Sequence, residues 1–277
     1  EVFRQTRTGE IRAFRLQAVP LEESPAEKSS AEIDGYAVYT DITAEHQYET
    51  RIAALHEATR ELVTMGSVDA IATATVEAIE EILELGFAGV HLYDGDEAVL
   101  RPAAYTDRVG DVLGEPPSFE RGEAIAWDVF ESGKPTYIED LHATDHTYND
   151  ASPLRSEMIL PLGDYGVLLI SARAPGAFDD SAFSLAKILA ANVEVAMERA
   201  EREQRLEEQK DRLETFASIV SHDLRNPIGV ANGYLELARE GDEAAFDRVE
   251  RALGRMEDLT EDLLALAQQG QRIDEVR

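Results

Sequence analysis

Apolar positions along this chain switch between strand and helix spacing in an order that divides it into three parts. Val2–Arg7 and Ile11–Ala18 read as antiparallel strands around the turn Thr8-Gly9-Glu10, with Phe14, Leu16 and Ala18 alternating with polar residues. Glu22–Ser30 is an acidic, serine-containing loop. Gly35–Ile42 reads as a third strand ending at Asp41-Ile42-Thr43, whose side chains suit a helix start. Ile52–Met65 and Val68–Leu85 then carry helical periodicity, with Ile71, Val76, Ile79, Ile82 and Leu83 on the second. Strands follow at Phe87–Tyr93 and Ala98–Tyr105, a helix at Arg121–Ser132 bounded by Gly122 and Gly133, and a short strand at Thr136–Ile138. Met158–Leu162 and Gly166–Ala172 flank Gly163-Asp164-Tyr165 as a hairpin, and Asp179-Asp180-Ser181 caps a terminal helix.

That last helix is expected to run unbroken to about Arg239. Its middle, Glu198 to Leu213, is charged except for Leu206 and Leu213, seven apart and seven before Val220, the spacing of a thin coiled-coil seam. Gly241-Asp242 ends it and caps the next helix, where Phe246, Val249, Leu253, Met256, Thr260, Leu263 and Ala267 recur at three- and four-residue steps, Thr260 being the only polar member. Two helices alone cannot bury both stripes. Each buried Leu, Ile or Phe contributes roughly 1.5–3 kcal/mol, so the pattern predicts a parallel homodimer whose paired hairpins form a four-helix bundle.

Composition narrows the surface and the chemistry. The 277 residues are 44% hydrophobic, ample for two small domains and a helical extension. Aspartate and glutamate total 56 against 26 basic residues, for a net charge of −30. Such a surface repels nucleic acid and anionic lipid, and no basic patch interrupts it. The regular periodicity argues against disorder. The charge therefore predicts adaptation to molar salt, where the Debye length shrinks to about 3 Å and self-repulsion is quieted. No cysteine is present, which excludes disulfides, thiolate zinc sites, cysteine nucleophiles and thioether-linked chromophores. The longest apolar runs, Met158–Leu162 and Gly166–Ile170, fall far short of the roughly 18 residues that span a bilayer. The chain begins at Glu1 without a methionine or signal-like segment, and a cytoplasmic fragment is expected.

The candidate chemistry lies in Ser221-His222-Asp223-Leu224-Arg225-Asn226-Pro227. Helical projection places Leu213, Phe216, Ala217, Val220, Leu224, Ile228 and Ala231 on the bundle face. Thr215, Ser218, His222, Arg225 and Asn226 share the opposite one. A lone helical histidine is ordinarily a plain surface residue; its neighbours here change that reading. Asp223 can accept a proton from one ring nitrogen or fix the tautomer, leaving the other nitrogen's lone pair to attack an electrophilic phosphorus. Asn226, one turn on, can orient a water or a phosphoryl oxygen. Arg225 can pair with a phosphoryl group or serve only as surface charge. Pro227 deprives the Asp223 carbonyl of its helical partner, so a bend is expected just beneath the histidine.

Phe216-Ala217-Ser218-Ile219-Val220-Ser221-His222-Asp223-Leu224-Arg225-Asn226-Pro227-Ile228 resembles the phosphoacceptor box of sensor histidine kinases of the HisKA type. The two helices, mostly antiparallel sheet with a helical crossover and exit helix of residues 50–198 look like a GAF domain. The three leading strands ending in Asp-Ile-Thr look like the last half of a PAS domain. The fold class that follows is α+β: partial PAS-like strands (1–45), a GAF-like α/β/α sensor domain (50–198), a coiled-coil stalk (199–214) and a HisKA dimerisation and phosphoacceptor hairpin (215–270). The resemblance implies that His222 takes the γ-phosphoryl group of ATP and passes it to a response-regulator aspartate. It further implies that Asp223 activates the ring, and that Asn226 positions water when the regulator is dephosphorylated. The acidic composition with a PAS–GAF front resembles sensor kinases of halophilic archaea.

The family's ATP-binding domain has no counterpart here. Only Gln271–Arg277 follow Gly270, and no G-x-G pattern suited to a phosphate loop occurs earlier. No cofactor is assigned to this chain. ATP and Mg would come through a histidine kinase ATPase domain, either cut from a longer protein or separate, so kinase activity belongs to the full-length context. A small-molecule GAF ligand remains open, as does a GAF that only dimerises and relays. Asp140-Leu141-His142-Ala143-Thr144-Asp145-His146 with Asp150 has plausible metal-ligand chemistry, but a solvated acidic loop over the GAF pocket is the preferred reading and no metal is assigned. His91 reads as a packed strand residue rather than a haem ligand. Two alternatives belong to other classes. A GAF-fold reductase using redox cysteines fails on composition. A non-catalytic GAF adaptor whose hairpin only dimerises is disfavoured by the intact run from His222 to Pro227.

Overall fold

The computed structural model describes residues 2–7, 9, 11–20, 35–83, 86–144, 152–240 and 244–274. The chain divides into two units, residues 1–203 and 204–277. The first opens with β1 (Val2–Gln5), β2 (Ile11–Pro20) and β3 (Gly35–Asp41), an antiparallel sheet in that order. The alternating apolar positions of β2 are not its most buried ones. Leu16 is 45% exposed, whereas Ala13, on the other side of β2, is buried. The cause is the chain's return: the Ile42 N–H donates to the Ala13 carbonyl (2.9 Å), and the Ala13 N–H donates to the Thr43 hydroxyl (3.1 Å). Thr8 and Glu10 of the first turn and the Glu22–Ser30 loop lie outside the described residues.

α1 (Thr43–Leu62) starts well ahead of Ile52, because the Asp41 carboxylate accepts both the N–H (3.0 Å) and the hydroxyl (2.6 Å) of Thr43. α2 (Val68–Leu83) buries Ile71, Val76, Ile79, Ile82 and Leu83 as its spacing predicts. Thr75 shares that stripe without penalty, since its hydroxyl donates to the Ile71 carbonyl (2.7 Å). Then come β4 (Ala88–Asp94), β5 (Val99–Tyr105), α3 (Asp107–Leu113), β6 (Phe119–Glu120), α4 (Ile125–Ser132), β7 (Thr136–Ile138), β8 (Ser156–Pro161) and β9 (Gly166–Ala172). Neither α3 nor β6 was expected from the sequence. α4 begins four residues after Arg121 because Gly122 adopts φ +77° in a turn. It ends on left-handed Gly133, as expected.

The sheet order is β6-β5-β4-β9-β8-β7, every pairing antiparallel. Period-two alternation splits its residues between two cores. Val90, Met158, Leu160, Leu168 and Ile170 pack with α2 and the start of α5 (Asp180–Arg239). Ile159 and Val167 face the other way, toward Trp127 and Val129 of α4. This helix–sheet–helix layering puts the unit in the α+β class. α5 is capped by Asp179, whose carboxylate accepts the Ala182 N–H (2.7 Å).

In the second unit, the later part of α5 pairs with α6 (Ala244–Asp274). α5 remains helical through Pro227 to Arg239. Ala245 and Ala252 are buried, and Arg248 crosses the hairpin to donate to the Tyr234 hydroxyl (2.6 Å) while stacking on that ring. Gly241-Asp242 and the side chains of Leu263 and Ala267 lie outside the described residues. No helix among the described residues is long and apolar enough to cross a membrane.

Candidate functional site

His222 projects from α5 with its side chain 81% exposed, on the polar face that its spacing assigns. Its Nδ1 lies 3.0 Å from Asp223 Oδ1. A carboxylate oxygen only accepts, so this contact puts a proton on Nδ1 and leaves the Nε2 lone pair directed to solvent. A residue that fixes a tautomer while leaving the other nitrogen open prepares a nucleophile rather than a packing group.

Asp223 and Asn226 turn toward α6, where they share a cavity of about 210 Å³ with Pro227, Val230, Ala252, Arg255 and Leu259. His222 is not among its lining. Helical geometry accounts for the split, because each residue advances the face by about 100°. Asp223 therefore sits about 100° round from His222, and Asn226 lies between them, about 40° from His222 on the side of α6. Arg255 was not anticipated as a site residue. Its spacing from Ala252 and Leu259 places it on one side of α6, but the periodicity of a single helix does not say which gap of the partner helix that side meets.

The same unit exposes a row of large apolar side chains. Leu213 (68%), Phe216, Ile228 and Leu235 on α5 and Phe246 and Leu253 on α6 are all open to solvent in the single chain. The sequence placed most of these on a bundle face.

In the first unit a second cavity, about 440 Å³, lies between the sheet and the α3–α4 side. Its walls include Phe87, Gly89, Tyr105, Phe119, Ile125 and Leu169. Glu157 enters it from β8, and its Oε1 accepts a hydrogen bond from the Ser171 hydroxyl (2.8 Å). Burial pushes this carboxyl up from 4.5 to about 7, with the serine bond opposing. His91, buried in β4, stacks on Phe119 and donates from Nε2 to the Pro117 carbonyl (3.0 Å). Burial lowers its pKa to about 4, so the ring is neutral and Nδ1 has a lone pair without a partner. This is the packed histidine the sequence suggested. The acidic loop is committed elsewhere: Arg155 donates to both Asp140 oxygens (2.9 and 2.6 Å), and His142 Nε2 meets the Ser152 carbonyl at 2.8 Å. Asp145, His146 and Asp150 lie outside the described residues.

Glu157 gives the fold a pH dependence with a definite sign. The folded state holds this proton more tightly than the unfolded chain does. Its contribution is therefore full below about 4.5 and lost as pH rises through about 7. The gap corresponds to about 3 kcal/mol at most. Urea unfolding of the wild type and Glu157→Gln should show the variant gaining on the wild type by about 1–3 kcal/mol between pH 5 and pH 8. A constant difference across that range would remove the burial argument.

Residues 66–198 match the GAF domain family, and residues 212–272 match the His Kinase A (phospho-acceptor) domain. A GAF domain followed by a His Kinase A domain supports the architecture of a sensor histidine kinase. The His Kinase A match contains His222, Asp223, Asn226 and Arg255, and the GAF match contains the larger cavity's lining. No curated protein matches the sequence. Among solved structures, a free methionine-R-sulfoxide reductase from Neisseria meningitidis, in complex with its substrate, is 18% identical. The match covers 57% of this chain and 93% of that one, with a TM-score of 0.50. The GAF domain of a phosphoenolpyruvate-protein phosphotransferase from Coxiella burnetii is 15% identical, over 57% and 98%, with a TM-score of 0.49. That of an Acinetobacter phosphoenolpyruvate-protein phosphotransferase is 16% identical, over 55% and 94%, with a TM-score of 0.47. The first likeness is one of fold alone.

Proposed function

We propose that this chain is the signal-transducing part of a two-component sensor histidine kinase, with His222 as its phosphoacceptor. The observation that carries the reading is the exposed imidazole with Nδ1 held on Asp223 Oδ1, inside the His Kinase A match. Nε2 attacks the γ-phosphorus of ATP, the bond to ADP breaks, and the phosphoryl group then moves to an aspartate of a response regulator. ATP and Mg are brought by a kinase ATPase domain, on a longer form of this protein or on a separate one. The GAF domain, with the PAS-like strands before it, supplies the input, and the charged stretch 199–214 relays it as a coiled coil. The exposed apolar row on α5 and α6 supports a homodimer of hairpins. The acidic surface suits molar salt.

The test supplies a histidine kinase ATPase domain and γ-labelled ATP in molar salt. Acid-labile, base-stable label on this chain is the expected result. A folded dimer that takes no label under any pairing leaves the non-catalytic adaptor as the better account.

Asn226 is assigned to water positioning in dephosphorylation of the regulator. Asn226→Ala should leave labelling of His222 within about twofold and slow regulator dephosphorylation by about a hundredfold, the lower end for loss of one positioned group. Equal loss of both activities would remove this role.

A further inference from the structure

The larger GAF cavity is asymmetric in its hydrogen-bonding chemistry. Half-buried Glu157 accepts at one end, and no charged donor lines the cavity among the described residues. At one end Glu157 keeps Oε1 on the Ser171 hydroxyl, and its second oxygen has no bond to a protein donor among the described residues. At the other, His91 has spent its only proton on the Pro117 carbonyl, and its Nδ1 is itself buried, so this end offers a ligand no donor. Strand register separates these ends. Glu157 pairs with Ser171 at the level of Phe87, whereas His91 pairs with Val167, two side-chain rows along the sheet. Gly89 occupies the row between and adds no side chain, so the floor stays open.

No lysine or arginine is among the described residues that line the cavity. A phosphate or carboxylate placed there would meet Glu157 and Glu115 with no countercharge, and burial makes that costly. A ligand that donates to Glu157 meets the opposite situation. It bonds the Glu157 oxygen that no protein donor reaches among the described residues, and it neutralises a carboxylate whose ionisation is disfavoured by burial. Phe87, Tyr105, Phe119 and Leu169 offer flat and apolar walls for its body.

We propose that this cavity binds a small planar organic cation of the amidinium or protonated nitrogen-heterocycle class, with its paired N–H edge on the carboxylate of Glu157. Carboxylate and amidinium make two parallel charge-assisted bonds, which give direction as well as affinity. The inference rests on the reading of the GAF domain as the input half and names the chemistry of what it receives.

Benzamidine, benzamide and benzoate are near-isosteric probes that differ in charge and in donor count. Titration calorimetry of the whole chain at pH 8 in molar potassium chloride should show saturable binding of benzamidine. Benzamide should bind at least tenfold more weakly, and benzoate not at all. Glu157→Gln should weaken benzamidine at least tenfold while its thermal unfolding shows an intact fold. Benzoate binding as well as benzamidine, benzamidine affinity unchanged in Glu157→Gln, or no saturable benzamidine binding into the millimolar range would each overturn the proposal. The titration requires no phosphoryl transfer. A chain that binds benzamidine but takes no label at His222 loses the kinase reading only; one that takes label and ignores benzamidine loses the ligand class only.

Discussion

His222→Gln is expected to abolish acid-labile labelling, with a loss of at least a thousandfold against background. A glutamine amide occupies similar space and forms hydrogen bonds, but its nitrogen lone pair is delocalised into the carbonyl and does not attack phosphorus. The fold should be indifferent to the change. The side chain is 81% exposed, and exposed substitutions away from special backbone features typically shift stability within about 0.5 kcal/mol. Loss of label with an unchanged unfolding curve and unchanged dimer therefore isolates the nucleophile. Asp223→Asn separates two roles for the acid. An asparagine oxygen can still accept from Nδ1 and hold the ring, but it carries no charge to steady the imidazolium that forms with the N–P bond. Labelling should persist at His222 about a hundredfold slower, the usual scale for removing a general-base partner. A rate within twofold of wild type would leave Asp223 only the orienting role. Retention of label in His222→Gln would mean another acceptor, and the assignment of the box would fail.

The placement of His222, Asp223 and Asn226 was legible in the sequence because they sit within about one helical turn of each other. Spacing alone fixes which faces they share, and no tertiary contact is needed to bring His222 beside Asp223. The stripe of α2 was legible for the same reason. Where a distant segment decides the outcome, local pattern fails. Phe14, Leu16 and Ala18 alternate as a strand should, yet the side of β2 that is covered is the one where Ile42 and Thr43 return to Ala13. Glu157 is the sharper case. Between Ser156 and Met158 it reads as an outward polar position of a half-exposed strand. It becomes interior only because α3, α4 and their loops cover that face of the sheet. The cavity and the displaced pKa of Glu157 are products of layering, not of any local motif. α3 escaped notice because seven residues interrupted by Gly110 give too little period to see. Arg255 escaped because its relevance depends on how two helices meet.

Gly166→Ala should be the most destabilising single methyl group that can be added to the first unit's hairpin, costing on the order of 3 kcal/mol or more. Gly166 sits at φ +146°, a conformation that L side chains rarely adopt. A Cβ there would lie 1.9 Å from the His91 carbonyl oxygen, 2.9 Å from its carbon and 3.0 Å from Leu92 Cα. All three are backbone atoms of β4, which is laddered on both sides, to β5 and to β9. Moving them breaks the register in which Leu92 faces Gly166 and His91 faces Val167. Gly163 provides the control, being only three residues away in the same turn. It is also left-handed (φ +58°), but its added Cβ would meet the end of the Glu194 side chain, which can swing aside. Gly163→Ala should therefore cost only the left-handed penalty of about 1–2 kcal/mol. Urea unfolding of the two variants in molar salt reads the difference directly. A Gly166→Ala chain as stable as Gly163→Ala would mean that β9 does not approach β4 as closely as this register requires. The consequence would reach the cavity, because the same ladder holds His91 at its far end. If the glycine is needed for that approach, the alanine variant should also lose benzamidine affinity at pH 8 without any change to Glu157, through the ladder alone.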